Sequence, residues 1–238
     1  IRSRLLPYLS LALGAQEVTL MELTSAFGVM AAEGIRAEPM AIIKIVDRNG
    51  NVLEEFREER EEVMSPQIAY MVTDMLRTVI DEGTGRTARS LGLRIPCAGK
   101  TGTTDDYADG WFIGYAPDLA VGVWTGFSHA AVPMGAGMVG AKVALPLWTW
   151  IMLAAHPGNR GPDFARPDGI TEAMVCVESG LTATPYCRNV RREIFIEGME
   201  PERQCDLHRV SAYDLLDKDK DFRELDKEAS EEREVPHR

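Results

Sequence analysis

Positive charge is in short supply in this 238-residue chain: 26 Lys and Arg stand against 37 Asp and Glu, a formal net charge of −11. A phosphate backbone is held by clustered Lys and Arg, and no basic stripe occurs anywhere, which argues against a nucleic-acid partner. Long apolar runs are missing too. The longest toward the C-terminal half, 143–155, is interrupted by Pro146 and falls short of the about 20 residues a bilayer-spanning helix needs, so it reads as a core helix. No secretory leader is present, and the chain opens at Ile1 rather than Met. It is therefore expected to be cut from a longer polypeptide. Histidine is sparse: His129, His156, His208 and His237 are scattered, and no Gly-x-Ser-x-Gly elbow exists to present a hydrolase serine. Surface or loop roles are expected for all four.

The hydrophobic fraction of 45% supports a sizeable core in one large domain, or one domain with an appendage. Thr19 followed by Glu22 forms a capping box, after which Leu20, Leu23, Phe27 and Met30 keep one apolar face until Gly34. Two short strand-like runs, 41–46 and 52–56, flank Asp47-Arg48-Asn49-Gly50-Asn51 and predict a hairpin, because Asn-Gly tolerates the positive φ of a tight turn. Ser65-Pro66 supplies an N-cap and a first-turn proline to a helix whose Ile68, Met71, Val72, Met75, Leu76, Val79 and Ile80 recur at helical spacing. Three extended segments follow, 95–101, 108–115 and 119–127, joined by links too short for parallel crossovers. A helix over 140–155 closes the body. The expected fold class is α/β (α+β), a helix-covered antiparallel sheet.

Composition then changes. Residues 157–167 are rich in Pro, Gly, Asn, Arg and Asp and read as a linker. Residues 213–238 hold ten Asp or Glu against six Lys or Arg and read as a solvated, partly disordered tail. The expected organisation is a main domain over 1–156, a linker with a cysteine-containing extension over 157–212, and the tail over 213–238.

The string Cys97-Ala98-Gly99-Lys100-Thr101-Gly102-Thr103-Thr104 holds the chemistry. Gly-Lys-Thr ends a phosphate loop, but that loop requires a glycine where Arg94 stands, and no helix opens at the Lys-Thr pair. On a strand edge the same residues do something else. A lysine ammonium and neighbouring hydroxyls can hold a carboxylate, a residue as small as Gly102 lets an extended peptide approach, and the Thr103 N–H could point at a carbonyl oxygen where an oxyanion develops, although Lys and Thr on an exposed strand edge are ordinary. Asp105, Asp106 and Asp109 read as turn residues. Trp111, Tyr115 and Trp124 read as packing residues on alternating strand faces.

Residues 98–117, AGKTGTTDDYADGWFIGYAP, closely resemble the Lys-Thr-Gly segment of class A penicillin-binding proteins, which polymerise and crosslink peptidoglycan. Leu11-Ala12-Leu13-Gly14-Ala15-Gln16-Glu17-Val18-Thr19, Asp81-Glu82-Gly83-Thr84-Gly85-Arg86-Thr87-Ala88 and Val123-Trp124-Thr125-Gly126 fall in that family's order. The 175–187 and 195–208 segments resemble its C-terminal extensions. The resemblance implies the C-terminal portion of a transpeptidase that works through a serine acyl-enzyme. It assigns substrate binding to Lys100, Thr101, Gly102 and Thr103, and the oxyanion N–H to Thr103. It implies stem peptides ending in D-Ala-D-Ala and β-lactams as partners, an exocytoplasmic location, a membrane-anchored parent and no cofactor. The family's Ser-x-x-Lys and Ser-x-Asn motifs do not occur at any serine of this sequence, so the chain alone is expected to be inactive, with part of its apolar surface exposed. A non-catalytic cell-envelope binding module, with or without a metal staple, is the alternative.

Cys176, Cys187, Cys205 and His208 raise a second question. They could hold zinc, but only Cys205-Asp206-Leu207-His208 has a ligand-like interval. The exocytoplasmic location implied by the resemblance favours a disulfide. Cys187 with Cys205 is the expected pair, with Cys176 as rival partner and no metal. Cys97 is expected to pack in the core.

Overall fold

The computed structural model of the chain describes residues 1–104, 106–128 and 132–208, which form two units dividing between Gly169 and Ile170. The expected tail over 213–238, together with Asp105, His129 and His237, lies outside the described residues.

In the first unit, α1 (Leu20–Ala31) begins at the expected capping box: the Thr19 hydroxyl accepts from the Glu22 N–H, and the Glu22 carboxylate accepts from the Thr19 N–H. That carboxylate also accepts from the Ser3 hydroxyl and the N–H groups of Arg2 and Ser3, which draws the start of the chain onto the helix. The Ser3 hydroxyl and then the Thr19 N–H hold Glu22 well below the usual carboxylate range. The helix stops where Glu33 and Gly34 turn to positive φ, and Gly34 lies so close to the Met64 carbonyl that no Cβ fits.

Four short strands follow: β1 (Ile35–Ala37), β2 (Lys44–Val46), β3 (Val52–Glu55) and β4 (Arg60–Glu62). They pair antiparallel as β1 with β4 and β2 with β3. The β2–β3 loop is closed by Asp47, whose Oδ1 accepts from Asn49 and Asn51, with Gly50 at positive φ. Next, α2 (Pro66–Asp81) starts with the Ser65 hydroxyl accepting from the Ile68 N–H and with proline in its first turn. A single turn, α3 (Thr87–Ser90), leads to the sheet.

The sheet consists of β5 (Ala98–Thr103), β6 (Asp109–Ala116) and β7 (Leu119–Gly126), in that order and antiparallel. Alternation sends β6 side chains to opposite faces. Ile113 and Tyr115 meet α1 and α2: Tyr115 packs edge-on against Phe27, and its hydroxyl shares a 2.8 Å hydrogen bond with Thr73. Trp111 stands opposite Trp124 and, like Tyr115, occupies this same face, because 111 and 115 share parity. The expectation of alternating faces for these three aromatics is thereby corrected.

The other face, carrying Phe112, is covered by α4 (Gly140–Val143) and α5 (Leu145–Ala155). The expected single helix over 140–155 is thus two pieces meeting at Ala144, beside Pro146, which has no N–H to donate. Trp148 is fully buried with its ring 4.8 Å from that of Phe112, amid Leu145, Met152, Ile80, Leu93, Ile95 and Cys97. On the opposite side of α5, Leu147, Trp150 and Ile151 form an exposed apolar stripe at i, i+3, i+4 spacing. Among the described residues no helix is long and apolar enough to cross a membrane.

Residues 157–169 belong to this first unit rather than to a free linker. Asn159 accepts from the Arg94 N–H and donates to the Gly92 carbonyl, while Phe164 packs edge-on against Tyr115. The second unit is built on β8 (Ile170–Cys176) and β9 (Val190–Ile196), paired antiparallel from Ile170 opposite Ile196 to Cys176 opposite Val190.

His156 is buried, with Nδ1 2.8 Å from the Met152 carbonyl and Nε2 3.1 Å from Asp118 Oδ1. Burial opposes a charge on the ring, but hydrogen bonds to Asp118 and the Met152 carbonyl outweigh it and raise its pKa. A raised folded-state pKa means stabilisation that is complete below the unfolded value of about 6.5 and is lost as pH rises through the folded value. The melting-temperature gap between the parent and Asp118→Asn should therefore be wider at about pH 5.5 than at about pH 9; a pH-independent gap would refute this linkage. Trp148→Ala should cost about 3–5 kcal/mol in denaturant titrations, the range for emptying a buried aromatic site.

Candidate substrate-binding site on the sheet edge

Strand β5 is an edge: β6 pairs with one side of it, and no described strand pairs with the other. Its first residues, Ala98 and Gly99, are buried, whereas Lys100 and Thr103 are exposed, so the strand emerges from the core as it reaches the Lys-Thr-Gly string. The ladder sets Lys100 opposite Ile113, Thr101 opposite Phe112, Gly102 opposite Trp111 and Thr103 opposite Gly110. Lys100 and Gly102 share one face, Thr101 and Thr103 the other. Backbone groups on the open side remain available to an added strand.

The Lys100 ammonium folds back onto its own strand, donating to the Thr101 carbonyl at 2.9 Å and lying 3.4 Å from the Thr101 hydroxyl. The Thr101 hydroxyl also shares a 2.9 Å hydrogen bond with that of Thr84, which follows α2. A cation and two hydroxyls thus sit together at the strand's surface, a donor set suited to a carboxylate. Thr84 was visible in the sequence only as part of a resemblance string. Its contact with Thr101 comes from the turn after α2.

The Thr103 hydroxyl accepts from the Gly140 N–H at 3.0 Å, which ties the start of α4 to the end of β5. A Cβ at Gly140 would collide with the carbonyl oxygens of Gly102 and Trp111. Gly140 is therefore a supporting residue that sequence reasoning missed. It lies far along the chain from the string it supports, and nothing local marks it.

The turn after β5 is closed by the Thr104 hydroxyl, which accepts from the N–H groups of Ala108 and Asp109. Asp109, expected as a turn residue, is instead the first residue of β6, where it accepts from the Trp124 indole at 2.7 Å. Cys97 is fully buried, and burial pushes its thiol up to about 11 against the pull of Arg89. A cavity of about 100 Å³ between α1, α2 and residues 163–167 has no lining residue from β5. The candidate site is an open strand edge and not an enclosed pocket.

The cysteines depart from the expected pairing. Cys187 and Cys205 are free thiols, as are Cys97 and Cys176. The loops of the second unit bring Cys176, Cys187, Cys205 and His208 to one point, with their ligand atoms within 4.8 Å of one another, so the two expected partners are not set apart as a pair.

Residues 7–144 match the family described as the penicillin binding protein transpeptidase domain, and residues 166–210 match the penicillin-binding protein 1A C-terminal domain. The chain is similar to penicillin-binding protein 1A of Aquifex aeolicus, at 41% identity over 86% of this chain and 28% of that protein. It is also similar to the protein of the same name from Clostridium tetani, at 33% over 84% and 26%. The chain thus spans little more than a quarter of the length of these curated relatives. Among solved structures, penicillin-binding protein 1A of Haemophilus influenzae superposes with a TM-score of 0.76 at 27% identity, covering 82% of this chain and 34% of that one. PonA1 of Mycobacterium tuberculosis superposes with a TM-score of 0.60 at 26% identity, covering 68% and 44%.

Gly140→Ala should push α4 away from β5 and lower stability by about 1–3 kcal/mol, the usual cost of overpacking. Chemical-shift changes should centre on residues 100–103. Unchanged stability and spectra would remove Gly140 from the support of the edge.

Proposed function

Because the chain belongs to the penicillin-binding protein transpeptidase family, we propose that residues 100–103 are the substrate-carboxylate side of a peptidoglycan D,D-transpeptidase site working through a serine acyl-enzyme. The observation that carries this reading is the open edge of β5, with Lys100, Thr101 and Gly102 at the point where the strand leaves the core.

Acyl transfer from a peptide requires a nucleophile, a means of holding the peptide's C-terminal end, and donors for the oxyanion. An extended stem peptide ending in D-Ala-D-Ala would lie along β5 as an added strand, and the absence of a side chain at Gly102 allows the close approach. Lys100 would turn its ammonium from the Thr101 carbonyl to the peptide's terminal carboxylate. The hydroxyls of Thr101 and Thr84 would take the remaining carboxylate lone pairs. The Thr103 N–H would face the carbonyl under attack, while its hydroxyl stays committed to Gly140. A β-lactam would present its carboxylate and strained carbonyl to the same groups.

Neither Ser-x-x-Lys nor Ser-x-Asn occurs in these 238 residues, so in this reading the nucleophile and its activating lysine belong to another segment of the site. Because the substrate is peptidoglycan, the site would work on the exocytoplasmic side, in a membrane-anchored parent.

These 238 residues alone should show no covalent labelling by a fluorescent penicillin. Refolded with a transpeptidase segment carrying Ser-x-x-Lys and Ser-x-Asn, they should support labelling on a serine of that segment. Lys100→Ala should then slow acylation about 10- to 100-fold, as expected for loss of a charge-assisted contact of about 1.5–3 kcal/mol, with unchanged thermal stability. A penicilloyl adduct on a serine of the isolated chain, or acylation indifferent to Lys100, would defeat the reading.

A further inference from the structure

We propose that Cys176, Cys187, Cys205 and His208 form a structural zinc site that holds the second unit together. Their ligand atoms all lie within 4.8 Å of one another, and the His208 Nδ1 is 3.4 Å from the sulfurs of both Cys176 and Cys205. A tetrahedral zinc with Zn–S near 2.3 Å and Zn–N near 2.0–2.1 Å sets its ligand atoms about 3.5–3.8 Å apart. The cluster therefore closes on a zinc ion with small side-chain adjustments. Three sulfurs and one imidazole are a soft, four-donor set of the kind zinc takes in closed, non-catalytic sites.

The surroundings are those of a metal site as well. The Nε2 of His208 lies 3.3 Å from Glu178 Oε2, so one ring nitrogen faces the sulfurs while the other faces a carboxylate that fixes the ring's orientation and tautomer. Cys187 Sγ accepts from the N–H of Thr184 at 3.3 Å and lies 3.4 Å from its hydroxyl.

The chain is folded to deliver these groups. Thr182 bridges to both Val175 and Gln204, and the Cys205 N–H donates to the Thr182 carbonyl at 2.8 Å. The Thr182 hydroxyl donates to Pro201, and that of Thr184 to the His208 carbonyl. Two threonines in the 176–187 loop thus hold the 201–208 segment against it. The intervals, Cys176 to Cys187 and Cys205 to His208, are joined in space by this clip.

Among the unit's described residues, little else is buried. Of the described residues 170–208, those buried are Val175, Cys176 and Cys205. A stretch of about 40 residues with so few buried groups seldom supplies a sufficient apolar core by itself and usually relies on a disulfide, a metal or association. A Cys187–Cys205 disulfide would staple the same loops, but it would leave a buried Cys176 thiol beside a His208 nitrogen aimed at it. Zinc engages all four groups. On binding, each thiol gives up its proton as its Zn–S bond forms, so three protons leave, while His208 coordinates through Nδ1 and keeps its proton on Nε2 toward Glu178. This inference does not depend on the proposed activity.

The test uses the full 238-residue chain, purified with a reductant and without chelators. Elemental analysis should find one zinc per chain. Cobalt(II) exchanged for it should show the visible absorption of a tetrahedral thiolate site. Cys205→Ser should lose the metal, and Cys97→Ala, in the other unit, should keep it. Glu178→Gln removes no ligand, so it should fold and should weaken zinc affinity about 10- to 100-fold in competition with a chromogenic chelator. Stripping the zinc should make residues 170–208 sensitive to protease while the first unit stays resistant. A reduced chain that takes up no zinc when the ion is added would overturn the proposal. So would a native mass showing a Cys187–Cys205 disulfide, or zinc affinity unchanged in Glu178→Gln.

Discussion

The one-sided pairing of β5 governs the first unit. Its ladder with β6 fixes where Lys100, Thr101, Gly102 and Thr103 fall, because a slip of one residue would exchange the faces of the lysine and the threonines. The buried side of that register is secured deep in the core, where Ala98 stands opposite Tyr115 and Gly99 opposite Gly114, all four out of contact with water. An edge strand normally invites unwanted pairing, and a charge on it discourages this. Lys100 occupies that position, so the residue that protects the edge from wrong partners is also the one that would select a carboxylate-ended one. The Thr84 and Gly140 contacts then hold the strand through Thr101 and Thr103, on the face opposite Lys100.

Elements whose cause is local could be read from the sequence. The Thr19–Glu22 capping box, the Ser65-Pro66 start of α2 and the three strands joined by short links each depend on residues a few positions apart, and each appears where local chemistry puts it. The pairing of β1 with β4 could not be anticipated, because Arg60-Glu61-Glu62 is charged throughout and carries no alternation, and the two strands are joined across an inserted hairpin. Residues 157–167 misled for a related reason. Pro, Gly and Asn are as common in tightly packed surface turns as in linkers, and here Asn159 and Phe164 attach the segment to Gly92, Arg94 and Tyr115. At the site, the Lys-Thr-Gly string was visible as a string, whereas the close approach of Gly140 to Gly102 is a tertiary fact with no local signature.

The cysteines show the same limit from the other direction. Ligand intervals along the chain favour metal sites in which a short knuckle supplies two donors, and the Cys205–His208 interval fits that form while the Cys176–Cys187 interval does not. What compensates is the hydroxyls of Thr182 and Thr184 and the backbone bridges at Thr182, which fold the longer loop until its two sulfurs meet the knuckle. Donor geometry was therefore set by hydrogen bonds between segments rather than by spacing, and spacing alone undervalued it.

The two units also differ in what their stability rests on. The first packs Trp148, Phe112, Tyr115 and their neighbours into a contiguous apolar core, and its cysteine is one more buried apolar group within it, with a thiol too basic to be a ready ligand. Over its described residues 170–208, the second leaves most side chains partly or fully exposed and concentrates what it buries around sulfur. Hydrophobic stabilisation scales with the apolar area removed from water, so a two-stranded ribbon that hides little such area must draw on another source of cohesion. Three thiols and an imidazole gathered at the ribbon's end, with a carboxylate behind the imidazole, would provide that source through the proposed zinc, where the described residues bury little else.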